Sequence, residues 1–155
     1  MKTRLLMVML GVAGLAFSVA LSAADKAKED PLAGVTCPLS GKAVKADAKA
    51  AYKDGEVYFC CENCPKAFAA NTAKFASKAN MQLVSTGQYK QKACPLTGRD
   101  LNPEMTVDVG SSKVTLCCGG CKGKASKLEG DALVDCLFND KSFEKGFAKA
   151  EKSGG

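Results

Sequence analysis

The sequence predicts a small α+β protein that consists of two tandem modules, each with a cysteine-bearing turn, a β-hairpin and helices. The first observation behind this prediction is a cysteine pattern that occurs twice at an offset of 57 residues. The second is that similar turn, strand and helix signals surround both copies. A repeat at a fixed offset indicates that each copy is one structural unit. The repeated cysteines are Cys37, Cys60, Cys61 and Cys64, followed by Cys94, Cys117, Cys118 and Cys121.

Residues 1–24 are predicted to be a signal peptide. Lys2 and Arg4 precede an apolar run over residues 5–21, and small residues at 22–24 fit a cleavage site. A retained membrane anchor is the alternative, but glycines interrupt the run, and a span needs about 20 apolar residues. We therefore expect a periplasmic or secreted protein without a stable membrane span after cleavage. Residues 25–35 are predicted to be a flexible linker.

The charge and composition narrow the function classes. The net charge of +6 comes mainly from scattered lysines, and Arg99 is the only arginine after the signal segment. Nucleic-acid recognition relies on clustered basic residues and especially on arginine, so no nucleic-acid partner is expected. The chain has no histidine, which argues against the usual catalytic zinc sites and against histidine acid–base chemistry. The sequence therefore predicts a protein that is not an enzyme.

The first module is assigned to residues 36–83. Pro38 and Gly41 predict a tight turn directly after Cys37. The Asp54-Gly55 pair, which apolar residues flank, predicts a two-residue hairpin turn. A helix is expected from Glu62 onward, with a proline in its first turn. A second helix is expected to begin with Thr72 as its cap.

Residues 84–92 are predicted to connect the modules, and the second module is assigned to residues 93–152. Its plan repeats that of the first, with different residues in the hairpin turn. Its predicted elements are a strand over Met105–Val109, a turn at residues 110–112, a strand over Lys113–Leu116, a helix from about Gly120 and a final helix over Lys141–Lys152.

Each module is close to the lower size limit for an apolar core, since a chain of about 60 residues buries little surface. The cysteines are therefore expected to act as staples, through metal or through disulfides. The predicted core residues are Val57, Phe59, Phe68, Phe75 and Leu83 in the first module, and Val107, Val114, Leu116, Leu128, Leu133 and Phe138 in the second.

The spacing of the cysteines fits soft-metal coordination. Cys60 and Cys64 are four residues apart across a helix start, so both sulfurs can project to one side. The positive end of the helix dipole is expected to lower their pKa and favour the thiolate. Cys37 can approach from the opposing turn. Turns and strand-to-helix junctions are typical sources of thiolate ligands for zinc and other soft metals.

These residues resemble the TRASH and YHS metal-binding domains, a branch of the treble-clef zinc fingers. The resemblance lies in the spacing Cys-x22-Cys-x3-Cys, with an aromatic residue or leucine just before the second cysteine. It covers about residues 35–80 and 92–137. It implies a cysteine-bearing turn, a β-hairpin and a helix around one metal ion per module, and a role in heavy-metal sensing, trafficking or handling. The ligands it implies are Cys37, Cys60 and Cys64, followed by Cys94, Cys117 and Cys121.

One departure from that family affects the ligand count. Many relatives have a second cysteine in the turn, where this chain has Ser40 and Thr97. Cys61 and Cys118 can supply the missing ligand, or can bury as small apolar side chains. Three thiolates without a fourth protein ligand suit trigonal Cu⁺, or Zn²⁺ with an exchangeable position.

Two other functions stay open at this point. In an oxidising compartment the cysteines can form structural disulfides, for example Cys37 with Cys60 or Cys64. The ninth cysteine, Cys136, is then a free thiol or a fourth ligand in the second module. A thiol–disulfide oxidoreductase is also open, because Cys61 lies three residues before Cys64 at a helix start. The hairpins before these motifs do not fit a thioredoxin-like context. We expect an exported soft-metal-binding protein, and the sequence does not indicate a protein partner.

Overall fold

The computed structural model describes residues 31–151. The predicted signal peptide and residues 25–30 of the predicted linker lie outside the described residues. Val35, at the end of that linker, is buried, so the packed part of the chain begins before the first cysteine. No helix between residues 31 and 151 is long and apolar enough to cross a membrane.

A β-hairpin opens the first unit. Strands β1 (Lys45–Tyr52) and β2 (Gly55–Phe59) pair antiparallel. The turn residues are Lys53 and Asp54, one position earlier than predicted, because Gly55 is the first residue of β2. A Cβ on Gly55 would lie 2.5 Å from Oε1 of Gln88, so a larger residue there would displace the amide that hydrogen-bonds to the Glu56 backbone.

Two helices follow this hairpin. Helix α1 spans Asn63–Ala70 and helix α2 spans Thr72–Ser85, in agreement with the predicted helix starts. The N-cap position of α2 is Asn71 and not Thr72, and the Asn71 side chain makes no capping hydrogen bond. The Thr72 hydroxyl instead donates a hydrogen bond to the Phe68 carbonyl at the end of α1.

A third strand, β3 (Tyr89–Gln91), follows within the predicted connection, and Val84 and Ser85 of that stretch belong to α2. Beyond β3, the second unit repeats the hairpin with the same register. Strands β4 (Asn102–Val109) and β5 (Ser112–Leu116) pair antiparallel, and β4 begins three residues earlier than predicted.

Three short helices then replace the two helices of the first unit. They are α3 (Gly119–Ala125), α4 (Gly130–Phe138) and α5 (Asp140–Gly146). The predicted final helix over Lys141–Lys152 is wrong for residues 147–151, and Lys152 lies outside the described residues. The chain there becomes strand β6 (Phe147–Lys149), which pairs antiparallel with β3.

The reason that α5 ends is the close approach of Gly146 to the second cysteine turn. A Cβ on Gly146 would lie 2.8 Å from Cα of Pro95. The Gly146 carbonyl also accepts hydrogen bonds from the backbone N–H groups of Lys92 and Ala93. Phe147 then packs its ring against Phe143, with ring centroids 5.4 Å apart.

The described chain is therefore a small mixed α and β protein with small antiparallel sheets, and one core serves both units. Helix α2 packs against α4, and the buried Asn80 of α2 donates a hydrogen bond to the Phe138 carbonyl at the end of α4. Most predicted core residues are buried, whereas three are only partly buried. Those three are Phe75, Leu128 and Leu133.

Candidate metal centres

The first cysteine of each unit lies in a tight turn that backbone hydrogen bonds close. The Cys37 N–H donates to the Lys42 carbonyl at 2.7 Å, and the Gly41 N–H donates to the Cys37 carbonyl at 2.8 Å. Gly41 has a φ of 68°, which glycine adopts with little strain. The turn at Cys94 repeats this geometry, with Gly98 at a φ of 76°.

The second cysteine follows a strand whose position a glutamine amide fixes. The Gln82 side chain accepts from the Tyr58 N–H at 2.6 Å and donates to the Tyr58 carbonyl at 2.8 Å. Gln91 holds Thr115 in the same way, with distances of 2.9 and 2.6 Å. Because Tyr58 and Thr115 lie two residues before Cys60 and Cys117, these amides position the sulfurs. Neither glutamine was predicted from the sequence, since they come from different elements, α2 and β3.

The third cysteine lies in the first turn of a helix. Cys64 is the second residue of α1, and Cys121 is the third residue of α3. The Cys64 N–H donates to the Cys61 carbonyl at 3.2 Å, and the Lys122 N–H donates to the Cys118 carbonyl at 3.1 Å. These bonds fold the chain between the second and third cysteines into a tight turn.

Turn, strand end and helix start bring three sulfurs together in each unit. The Sγ atoms of Cys37, Cys60 and Cys64 all lie within 4.8 Å of one another, and so do those of the second cluster, Cys94, Cys117 and Cys121. We call these clusters site 1 and site 2. The Sγ–Sγ distance between the strand-end and helix cysteines is 3.7 Å in both. Sulfurs that share one zinc ion at about 2.3 Å lie about 3.8 Å apart, so both sites fit a single soft ion.

A hydroxyl group stands next to each cluster, three residues after the turn cysteine. The Ser40 Oγ lies 3.2 Å from the Cys60 Sγ, and the Thr97 Oγ1 lies 3.2 Å from the Cys117 Sγ. In the sequence these two residues stood out only as missing ligands. The structure shows that both support the sulfurs, and the signal was available, because a hydroxyl residue recurs at the same offset.

The turn cysteines ionise readily. Burial by itself raises the pKa of the Cys37 thiol, but hydrogen bonds from the Ser40 hydroxyl and from three backbone N–H groups outweigh it and lower the pKa to about 7. The pKa of Cys94 is also lowered to about 7, with burial opposed by the Thr97 hydroxyl and by backbone N–H groups. The turn thiol of each site is therefore about half ionised near neutral pH.

The helix cysteines behave in the opposite way. Burial and hydrogen bonding to neighbouring thiols raise the pKa of Cys64, and the same causes raise the pKa of Cys121 to about 12. The expectation that the helix dipole lowers the pKa of Cys64 is therefore wrong. A cation must displace this proton when the site loads.

Cys61 and Cys118 are exposed, and neither belongs to a three-sulfur cluster. The alternative in which they bury as small apolar side chains is therefore wrong. The Cys61 Sγ lies 3.3 Å from the Cys64 Sγ, and the Cys118 Sγ lies 3.7 Å from the Cys117 Sγ. Cys136 also lies outside both clusters.

All nine cysteines are within the described residues, and all are free thiols. A scan against models of known protein families, a search of curated proteins and a search of solved structures each gave no match. The function is therefore inferred from the two clusters, each of which can hold a metal ion.

Proposed function

We propose that this chain is an exported protein that binds soft metal ions through its thiolates and handles heavy metals, without being an enzyme. The observation that carries the proposal is the convergence of three sulfurs within 4.8 Å at two places in one chain. Each site takes one ion, which is cargo. The two units are then modules similar to the TRASH and YHS domains, with the treble-clef arrangement of turn, hairpin and helix around the ion.

The sulfur count supports metal over a structural disulfide. A bridge between Cys60 and Cys64 leaves Cys37 alone, with a side chain that is 2% exposed and a lowered pKa. Hydrogen bonds from Ser40 and from the backbone already favour the Cys37 thiolate, and a soft cation would add a direct partner for its negative charge. One soft cation satisfies all three sulfurs at once, whereas a disulfide satisfies two.

The donor set limits the identity of the ion. Thiolates favour Cu⁺ and Zn²⁺ over hard cations. Three sulfurs suit trigonal Cu⁺, whereas Zn²⁺ takes a fourth ligand at an exchangeable position. Either ion, once bound by Cys37, Cys60 and Cys64, fixes the turn to the helix start. In small zinc domains such bonds contribute on the order of 10 kcal/mol to folding.

Thiol–disulfide exchange is a second candidate, which the Cys61–Cys64 Sγ distance of 3.3 Å favours. In that reaction two thiols lose two electrons and two protons to the disulfide of a partner, which becomes two thiols. Cys61 has a lowered pKa, chiefly because of its hydrogen bond with Cys64. The raised pKa of Cys64 makes this residue a poor leaving group, which disfavours fast exchange.

The deciding experiment is elemental analysis of protein purified from the exported fraction, with its intact mass measured before and after thiol alkylation. The proposal expects bound copper or zinc, and thiols that become alkylated after the metal is removed with a chelator. Metal-free protein whose mass is short by two hydrogens per bridge would support the disulfide alternative. A mixture that follows the redox buffer would support the oxidoreductase.

A further inference from the structure

An exposed thiol stands directly beside each three-sulfur cluster. In site 1 it is Cys61, whose Sγ lies 3.3 Å from the Sγ of Cys64. In site 2 it is Cys118, whose Sγ lies 3.7 Å from the Sγ of Cys117. The arrangement occurs twice in one chain, next to different cluster members, so it does not depend on one local backbone conformation.

At each site the turn cysteine is more buried than the strand-end cysteine, and the adjacent fourth cysteine is exposed. Cys37 is 2% exposed and Cys94 is fully buried, so the turn sulfurs face the interior. The strand-end sulfurs are partly exposed, and a hydroxyl group lies 3.2 Å from each of them. Cys61 and Cys118 are the exposed members. An acceptor molecule therefore meets these two sulfurs before it meets the buried ligands.

Soft ions bound by several thiolates leave slowly by simple dissociation, because each metal–sulfur bond is strong. A nearby sulfur that bonds the ion before another bond breaks avoids a poorly coordinated intermediate. Cys61 is placed for such an exchange with Cys64.

Building on the proposed function, we propose that Cys61 and Cys118 are transfer ligands, through which the bound ion passes to a thiol-bearing acceptor. In site 1 the sulfur of Cys61 bonds the ion and gives its proton to solvent, while the bond to Cys64 breaks and that sulfur takes up a proton. The acceptor thiol then bonds the ion, loses its proton to solvent, and displaces the remaining cluster sulfurs, which are reprotonated. No electron is exchanged. Cys118 and Cys117 act in the same way in site 2.

The test compares the wild type with the double variant Cys61→Ser/Cys118→Ser, each loaded without oxygen with Cu⁺ or with Zn²⁺. Ion transfer is followed by absorbance, first to dithiothreitol and then to a chromophoric chelator such as bathocuproine disulfonate or pyridylazoresorcinol. We expect the double variant to keep two ions per chain and to release them more slowly, by about tenfold, which corresponds to about 1.4 kcal/mol in the barrier. Cys136→Ser is the matched control, since this thiol lies outside both clusters, and its transfer rate should equal that of the wild type.

The outcomes separate this inference from the proposed function. A wild type that loads neither ion overturns both. Normal loading with an unchanged transfer rate overturns only the transfer role. Loss of stoichiometric loading in the double variant also overturns it, because Cys61 and Cys118 are then permanent ligands.

Alkylation of the loaded wild type gives a second measurement that does not depend on a variant. Peptide mapping after iodoacetamide treatment should find Cys61 and Cys118 modified, and the six cluster cysteines protected. Protection of Cys61 and Cys118 to the same extent as the cluster would contradict the inference.

Discussion

Site 1 and site 2 reach the same sulfur spacing from helices of very different composition. In both, the strand-end and helix sulfurs are 3.7 Å apart. Helix α1 contains no glycine and anchors itself through Phe68, which is buried against Phe59. Helix α3 is seven residues long and contains Gly119, Gly120 and Gly123. Ala125 lies at the position of Phe68, 57 residues later.

The comparison indicates that the turn, the strand end and the helix start set the sulfur geometry, whereas the rest of the helix affects how firmly that geometry is held. Glycine in a helix costs about 1 kcal/mol relative to alanine because it loses more backbone freedom on folding. A buried phenylalanine also contributes far more apolar contact than alanine. We therefore expect site 1 to bind its ion more tightly than site 2, and site 2 to exchange faster.

The largest effect is expected from removing a strand-end ligand. Cys60→Ser leaves two sulfurs in site 1 and should lower the bound metal from two equivalents to one, and Cys117→Ser should do the same in site 2. Elemental analysis and native mass spectrometry measure this stoichiometry. Loss of both ions in either variant would contradict two separate sites on a shared core. These variants also provide single-site backgrounds for the experiments below.

The anchor of α1 is tested next. Phe68→Ala should destabilise the chain by about 3–5 kcal/mol, because it opens a cavity beside Phe59 and Tyr52. In the Cys117→Ser background it should also weaken site 1, toward the affinity of site 2. Denaturant unfolding and chelator competition measure the two effects. Phe68→Leu is the matched control, with a cost of about 1 kcal/mol. An unchanged site 1 affinity in Phe68→Ala would show that α1 does not organise the site.

A smaller effect, which strengthens metal binding, is expected from a substitution in α3. A methyl group at Gly123 would meet no neighbouring atom within 4 Å, and the φ of this residue lies outside the left-handed region, so alanine fits there. Gly123→Ala should favour the helix by about 1 kcal/mol and tighten site 2 about fivefold. Lys66→Gly, at the equivalent exposed position of α1, should weaken site 1 by a similar factor. Chelator competition in the single-site backgrounds measures both changes. Affinities equal to those of the parent chains would show that helix composition does not affect metal binding.

The smallest effect is expected from a substitution at Ser40, which acts through the pH dependence of site 1. The folded-state pKa of Cys37, about 7, lies below its ordinary value of 9.0. This depressed pKa stabilises the metal-free fold above pH 9, and the contribution is lost as the pH falls through 7. Below pH 7 the ion must also displace the Cys37 proton, so its affinity falls up to about tenfold more per pH unit.

Ser40→Ala removes one of the hydrogen bonds that lower this pKa. The loss of site 1 affinity should then begin at a higher pH, giving an affinity a few-fold weaker near neutral pH. Ser40→Thr, which copies Thr97 of site 2, should restore the original profile. Thiolate absorbance and metal competition across the pH range measure the shift, and identical profiles for Ser40→Ala and the wild type would exclude this role of the hydroxyl.

Local signals predicted much of this architecture, because the elements near each site depend on nearby residues. The cysteine spacing predicted that the turn, strand-end and helix sulfurs can meet in each unit, but it left open whether Cys61 and Cys118 join them. The Pro38–Gly41 turn and the helix starts near Cys64 and Thr72 also follow from short-range chemistry.

The features that the sequence did not reveal depend on long-range contacts. Strands β3 and β6 are three residues each and pair across more than 50 residues, so no local pattern identifies them. Phe143 and Phe147 have helical spacing, yet the helix ends between them because Gly146 packs on Pro95. The raised pKa of Cys64 arises from burial and from neighbouring sulfurs, which only the folded chain brings together.

The most direct test of the account is X-ray absorption spectroscopy at the metal edge of the wild type after anaerobic loading with one and then two equivalents of Cu⁺ or Zn²⁺. We expect about three sulfur neighbours per ion at about 2.3 Å, with the same first shell at both loadings. A first shell dominated by oxygen or nitrogen, or an ion that does not remain bound, would contradict a three-sulfur metal site.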